Sequence, residues 1–290
     1  VRTGDSGLYL LSNEELRQWG FSNPEKVRVH GYGAYPINDR LTADNYVDDL
    51  PEAMSEVTPE GVVFFAAGPL KPELNNSRIS FSRNHYSDHG YYFVTESDSP
   101  RQAAAMTGIA GGATDAATTF ICPLLHEKEL ISGGNTGHEL LGEDFSRTRT
   151  RNFSFDLKGN QGSEVEIACT FATKTVNGTS ELSLLANGVA LMPDVSSTIP
   201  ATTNDLEHHY TSRTIHATAP VTGDRLDLTV NFNPHASVRL ARLDKITVNY
   251  IRSLTLDGGA LTFGSHDKAL RLSGATAGLH IWAVSYTHLR

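Results

Sequence analysis

Arg225-Leu226-Asp227-Leu228-Thr229-Val230-Asn231-Phe232 sets an apolar side chain at every second position and a polar one between. A period of two marks a strand with one face in a core and the other in water. The same alternation runs through Asn152–Leu157, Glu164–Phe171, Glu181–Leu185 and Lys245–Ile251. Lys158-Gly159-Asn160, Asn177-Gly178, Asn187-Gly188, Thr222-Gly223-Asp224 and Asp257-Gly258-Gly259 punctuate these segments. Asn-Gly and Asp-Gly accept the positive φ that tight hairpin turns require. No helical period appears after residue 130. Strands at this spacing predict an antiparallel β-sandwich over residues 118–275.

Upstream, the clearest helix is Ser12-Asn13-Glu14-Glu15-Leu16-Arg17-Gln18-Trp19-Gly20. Ser12 caps it, Glu15 completes a capping box three residues on, and Gly20 stops it. Leu8–Leu11, Val27–Tyr32, Val62–Ala66 and Gly90–Thr95 read as strands. Residues 1–100 are therefore expected to form a small α+β or mostly β subdomain with one short helix. Residues 101–118, with Thr107-Gly108-Ile109-Ala110-Gly111-Gly112 at their centre, read as a strand followed by a flexible loop, and as the boundary between domains. The fold class expected is mostly β.

The chain has 290 residues, with 24 Lys+Arg against 33 Asp+Glu, a net charge of −9. That acidic balance excludes a nucleic-acid platform, which needs a basic face. No window has the 18 or so consecutive apolar residues of a membrane-spanning helix. The opening Val1-Arg2-Thr3-Gly4-Asp5 is polar and carries no signal peptide; without an initial Met, the chain reads as a piece of a longer protein.

Candidate chemistry is sparse. Cys122 and Cys169 sit in apolar contexts and read as inert core thiols. His85 and His89 have i, i+4 spacing, which chelates a metal only on a helix, and Asn84–Gly90 is turn-like. In a strand, His208 and His209 point to opposite faces. Asp48, Asp49, Glu52, Glu143 and Asp144 are carboxylates for acid–base work only if two of them converge. Gly108–Gly112 lacks the Lys-Ser/Thr of a phosphate loop. Asn75, Asn152 and Asn177 open Asn-x-Ser/Thr triplets. The expectation is no catalytic residue, no cofactor and no metal in this chain. Tyr86, Tyr91, Tyr92 and Tyr210 could form a sugar-binding face, so a carbohydrate-binding or adhesin-like surface module is the alternative.

In order over about 280 residues, Gly7-Leu8-Tyr9, Glu15-Leu16, Gly20-Phe21, Asp48–Glu52, Phe64–Pro69, Tyr91-Tyr92-Phe93 and Gly137–Phe145 resemble the region upstream of the peptidase domain in the PorU-type sortases of type IX secretion, a branch of the gingipain-like cysteine peptidases. Gly7-Leu8-Tyr9 leads to Glu15-Leu16 and Gly20-Phe21, then Pro24 and the strand from Val27. Asp48-Asp49-Leu50-Pro51-Glu52, Phe64-Phe65-Ala66-Ala67-Gly68-Pro69, Asn84, Tyr86-Ser87 and Tyr91-Tyr92-Phe93 follow the family pattern. So does Gly137-His138-Glu139-Leu140-Leu141-Gly142-Glu143-Asp144-Phe145, with Leu140 where the family usually has Trp. After Trp282 the family enters its peptidase domain; here Val284–Arg290 reads as a translated cloning adapter, non-native over 284–290. The resemblance implies a non-catalytic front end, with residues 276–290 leading to a peptidase domain that carries the catalytic His and Cys. It implies a parent at the outer membrane surface of a Bacteroidetes-type bacterium. That parent would remove the C-terminal sorting domain of cargo and attach the cargo to lipopolysaccharide. The implied partners are the downstream peptidase domain, secretion components and cargo sorting domains.

Overall fold

The computed structural model describes residues 1–36, 40–43, 45–46, 49–75, 78–101, 114–132, 140–192, 198–199, 210–265, 267, 269–276 and 279–282. Asp48, Gly108–Gly112, His208-His209 and the tail 284–290 lie outside them. Of the described residues 57% are strand and 4% helix, so the chain is mostly β, built from several antiparallel sheets.

Two compact units divide it. One lies within Val1–Glu73, Phe81–Gly112 and Thr276–Arg290, the other within Leu74–Ser80 and Ala113–Ala275. In the first unit, one three-stranded sheet runs Arg2–Thr3, Gly90–Glu96, Val27–Gly33, and another runs Gly7–Ser12, Gly61–Ala66, Ser55–Thr58. Leu11, Leu16, Val27, Val29, Val62, Phe64, Ala66 and Tyr92 form their common core. Helix Asn13–Gln18 is capped as expected: the Ser12 hydroxyl accepts from the Glu15 N–H, and the Glu15 carboxylate accepts from the Ser12 N–H at 2.9 Å. Its one buried residue, Leu16, ties it to that core.

The second unit centres on two very long strands, Glu164–Ala186 and Arg225–Ser253, paired antiparallel from Glu166↔Asn249 to Ala186↔Leu228. Both fold over on themselves. Thr175 Oγ1 and Ser180 Oγ lie 3.0 Å apart in the interior, although five residues of straight strand span roughly 16 Å. Gly178, at φ 145, stands at that corner, and Pro234 pairs with Ser180 on the other strand. The fold-over turns one ladder into two layers. Thr211–Pro220 and Thr119–Glu127 extend the first layer, and Thr150–Asp156 and Val189–Ala190 the second.

Between the layers lies a single core containing Val165, Ile167, Cys169 and Phe171 from one half and Leu226, Leu228, Val230 and Phe232 from the other. The inward parity changes along the way. Thr170 pairs with Lys245 but Phe171 with Leu243, so Asp244 is an extra residue. Leu243 and Ile246 consequently both face the core. Such a bulge bends its strand and re-aims the side chains beyond it.

Candidate functional site

The best-built polar cluster lies where segment 142–145 docks beside that bulge. Gly142 N–H donates to the Leu243 carbonyl at 2.7 Å, Leu243 N–H to Glu143 at 3.0 Å, and Phe145 N–H to Ala241 at 2.8 Å. A Cβ on Gly142 would stand 3.0 Å from the Lys128 carbonyl and 3.1 Å from that of Leu243, so the close approach favours glycine. Phe145 is fully buried, edge-on to Phe171 at 5.1 Å.

Glu143 is nearly buried. Its Oε1 meets His126 Nε2 at 2.9 Å and Lys128 Nζ at 3.0 Å, while Oε2 is buried with no hydrogen-bond partner. Burial opposes its charge, but the Lys128 ammonium and the His126 ring outweigh that and hold the carboxyl below its usual range. Asp144 turns the other way: its Oδ1 accepts from the Ser146 N–H, and Arg242 Nη2 lies 3.7 Å from Oδ2. Burial again opposes and Ser146 and Arg242 prevail, so its pKa is lowered as well. The two acids thus face separate partners and form no acid–base pair. The arrangement is a charged clasp holding segment 142–145 to the sandwich.

The sign of its pH dependence follows. Carboxyls with depressed native pKa values stabilise fully above their unfolded values, about 4, and lose that contribution as pH falls through the native values. The melting temperature should therefore fall as pH drops below about 4. Glu143→Gln should flatten that fall, as read by thermal melts from pH 3 to 7. An unchanged slope would remove Glu143 from this account.

The two cysteines lie in the sandwich core. Both are buried free thiols, Cys122 paired across strands with Tyr250 and Cys169 with Ile246. Burial pushes the Cys169 thiol far up, away from the thiolate a nucleophile needs. Burial and the Cys122 thiol likewise push the Tyr250 phenol up, and its hydroxyl donates to the Lys158 carbonyl at 3.1 Å.

His85 and His89 sit on a bend. Asn84 Oδ1 accepts from the Tyr86 N–H, and Ser87 Oγ from that of His89. Among the described residues, no three His, Cys, Asp or Glu side chains gather as metal ligands. Glu52 pairs with His30 through the backbone only, and its Oε1 lies 3.6 Å from Arg28 Nε, while Asp49 Oδ1 accepts from the Leu50 N–H. Tyr92 does not share a face with its neighbour Tyr91. Tyr92, 5% exposed, points into the core, where its hydroxyl accepts from Ala67 N–H at 2.9 Å. Tyr86 and Tyr91 are exposed and Tyr210 is half-buried.

Among the pieces of the sandwich that sequence reasoning missed is one that lies outside its long ladder. Arg78 and Ile79 form a strap on the outer side of the Glu166↔Asn249 pair. Arg78 Nε donates to Glu166 Oε2 at 2.9 Å. Asn249 engages the backbone of Ile79 twice: Oδ1 accepts its N–H and Nδ2 donates to its carbonyl, each at 3.0 Å. Asn249 and Ile79 are both buried.

Comparison with solved structures gives this arrangement a counterpart. Latent PorU from Porphyromonas gingivalis, described as dimeric, superposes with a TM-score of 0.76 at 31% identity, over 89% of this chain. The chain is related to the N-terminal region of PorU. It spans 24% of that PorU chain. Two of the PorU-like segments act in packing: Phe64 lies against Tyr92, ring centroids 5.1 Å apart, and the Gly142–Phe145 motif is the clasp. Leu140, just before the clasp, is exposed. Two other structures resemble the chain far less. They are the Cry4Aa toxin of Bacillus thuringiensis (11% identity, TM-score 0.29, 86% of this chain and 58% of that one) and an exo-β-1,3-galactanase of Phanerochaete chrysosporium (15%, 0.24, 68% and 40%). No family model and no curated protein matches the sequence.

Proposed function

We propose that the chain is the non-catalytic front part of a gingipain-like cysteine peptidase acting as a type IX secretion sortase. The observation that carries this is the relationship to PorU over 89% of the chain. In this reading residues 1–100 and 118–275 are two scaffold domains, and residues 276–290 lead toward the peptidase. The parent uses a thiolate to remove the C-terminal sorting domain of cargo and joins the cargo to lipopolysaccharide at the outer membrane surface. The front part positions the peptidase and docks cargo or secretion components. The burial of Cys122 and Cys169, which pushes the Cys169 thiol up, supports placing the nucleophile elsewhere.

The native gene read past Trp282 tests this. An α/β domain bearing a His and, further on, a Cys is the expected result. A frame that stops, or runs on into further sandwiches, overturns the assignment. Purified residues 1–282 should show no cleavage of a peptide library; cleavage sensitive to a thiol blocker would contradict the non-catalytic role.

A further inference from the structure

Two strands border the sandwich on one side. Thr211–Pro220 flanks the first layer and Val189–Ala190 the second, each paired with the long strand Glu164–Ala186. A cavity of about 310 Å³ is lined by residues of both. Its wall is largely apolar. Leu191 and Ala217 belong to the buried core, while Val189 and Met192 are 62% and 90% exposed. Ala190 and Ala217 are short, and a larger side chain at either would occupy space that the cavity keeps open.

Two polar side chains join this wall, Arg78 and Thr218. Glu166 brings them together: it pairs with Thr218 across the ladder, and its Oε2 accepts from Arg78 Nε at 2.9 Å. That bond uses Nε alone. Among the described residues, no group pairs with the two Nη groups of Arg78 or with the Thr218 hydroxyl. Glu166 holds the guanidinium in place and offsets its charge, so Arg78 offers directed N–H donors rather than a strong positive field. Two free Nη groups on a planar guanidinium match the two oxygens of a carboxylate.

We propose that this cavity binds a small amphipathic carboxylate. The aliphatic body lies against Val189, Leu191 and Ala217, and the acid group sits on Arg78 with the Thr218 hydroxyl as a further donor. The volume is at the low end of the roughly 300–1,000 Å³ of small-molecule cavities, so the aliphatic body is short. Met192, flexible and polarisable, suits a rim that closes over such a body. The proposal goes beyond the sortase reading and does not depend on it, because every residue it uses lies in one unit.

The test titrates octanoate into the chain and follows the carbon-13 methyl signals of its three methionines, Met54, Met106 and Met192. The Met192 signal should shift and saturate while the other two stay in place. Octylammonium, with the same tail and the opposite charge, should bind about tenfold more weakly or less. Arg78→Met keeps the stem and removes the guanidinium, and should abolish that preference. Ala190→Phe should fill the cavity and weaken octanoate about tenfold or more. An unmoved Met192 signal overturns the proposal. So do equal responses to the two ligands, or parallel shifts of all three methyls, which mark detergent action. A preference that survives Arg78→Met, or octanoate binding untouched by Ala190→Phe, also overturns it. If either variant fails to fold, the comparison of octanoate with octylammonium in the unmutated chain decides.

Discussion

Replacing Phe171 by Ala should destabilise the sandwich by about 3–5 kcal/mol. Phe171 is fully buried and touches Phe145 edge-on, and it sits at the bulge where the inward parity of the facing strand changes. The loss combines the transfer energy of the ring with the cavity it leaves, because strands on either side prevent collapse. Phe171→Leu should cost less, since much of the volume remains. Chemical denaturation of both variants checks this. Equal, sub-kcal losses would mean that the core at the bulge is loosely packed.

Asn249→Ala should cost about 2–5 kcal/mol. The side chain is not replaceable by volume alone, because it satisfies both backbone groups of buried Ile79. Truncation leaves a donor and an acceptor unpaired away from water. Asn249→Asp makes a sharper test. It retains an acceptor for the Ile79 N–H, but at neutral pH it sets a carboxylate against the Ile79 carbonyl. Its deficit should shrink as pH falls and the acid protonates, whereas that of Asn249→Ala should not. Parallel pH trends in the two variants would rule out the paired hydrogen bonds as the cause.

The strands were legible in the sequence and their continuity was not. Leu226, Leu228, Val230 and Phe232 line the core as their alternation implies. Asn187-Gly188 forms the expected two-residue hairpin, with φ 49 and 81, because Ala186 pairs with Val189 across it. Asn177-Gly178 carries the same signal yet closes no hairpin. There each strand keeps its distant partner, Val176 with Val238 and Gly178 with Ala236, and the dipeptide becomes a corner within one strand. A long-range ladder overrode a local preference. Thr119–Glu127 escaped notice because Pro123 breaks its pattern; it is an edge strand, where a proline is tolerated.

The polar clusters were legible only as residue types. Glu143 and Asp144 stood out as adjacent acids, but nothing local indicates that His126 and Lys128 share one of Glu143's oxygens. Ile79 and Asn249 gave no signal at all, since their pairing exists only after the ladder has formed.

That pairing also sets a clock on biosynthesis. Ile79 and Asn249 are 170 residues apart in the chain. At 5–20 residues per second, a ribosome needs roughly 10–30 s to make the second after the first. Until then the Ile79 N–H and carbonyl lack the Asn249 amide that engages them. The sandwich is thus finished late in translation, and a codon change that slows synthesis between the two positions would lengthen the exposure without altering a single amino acid.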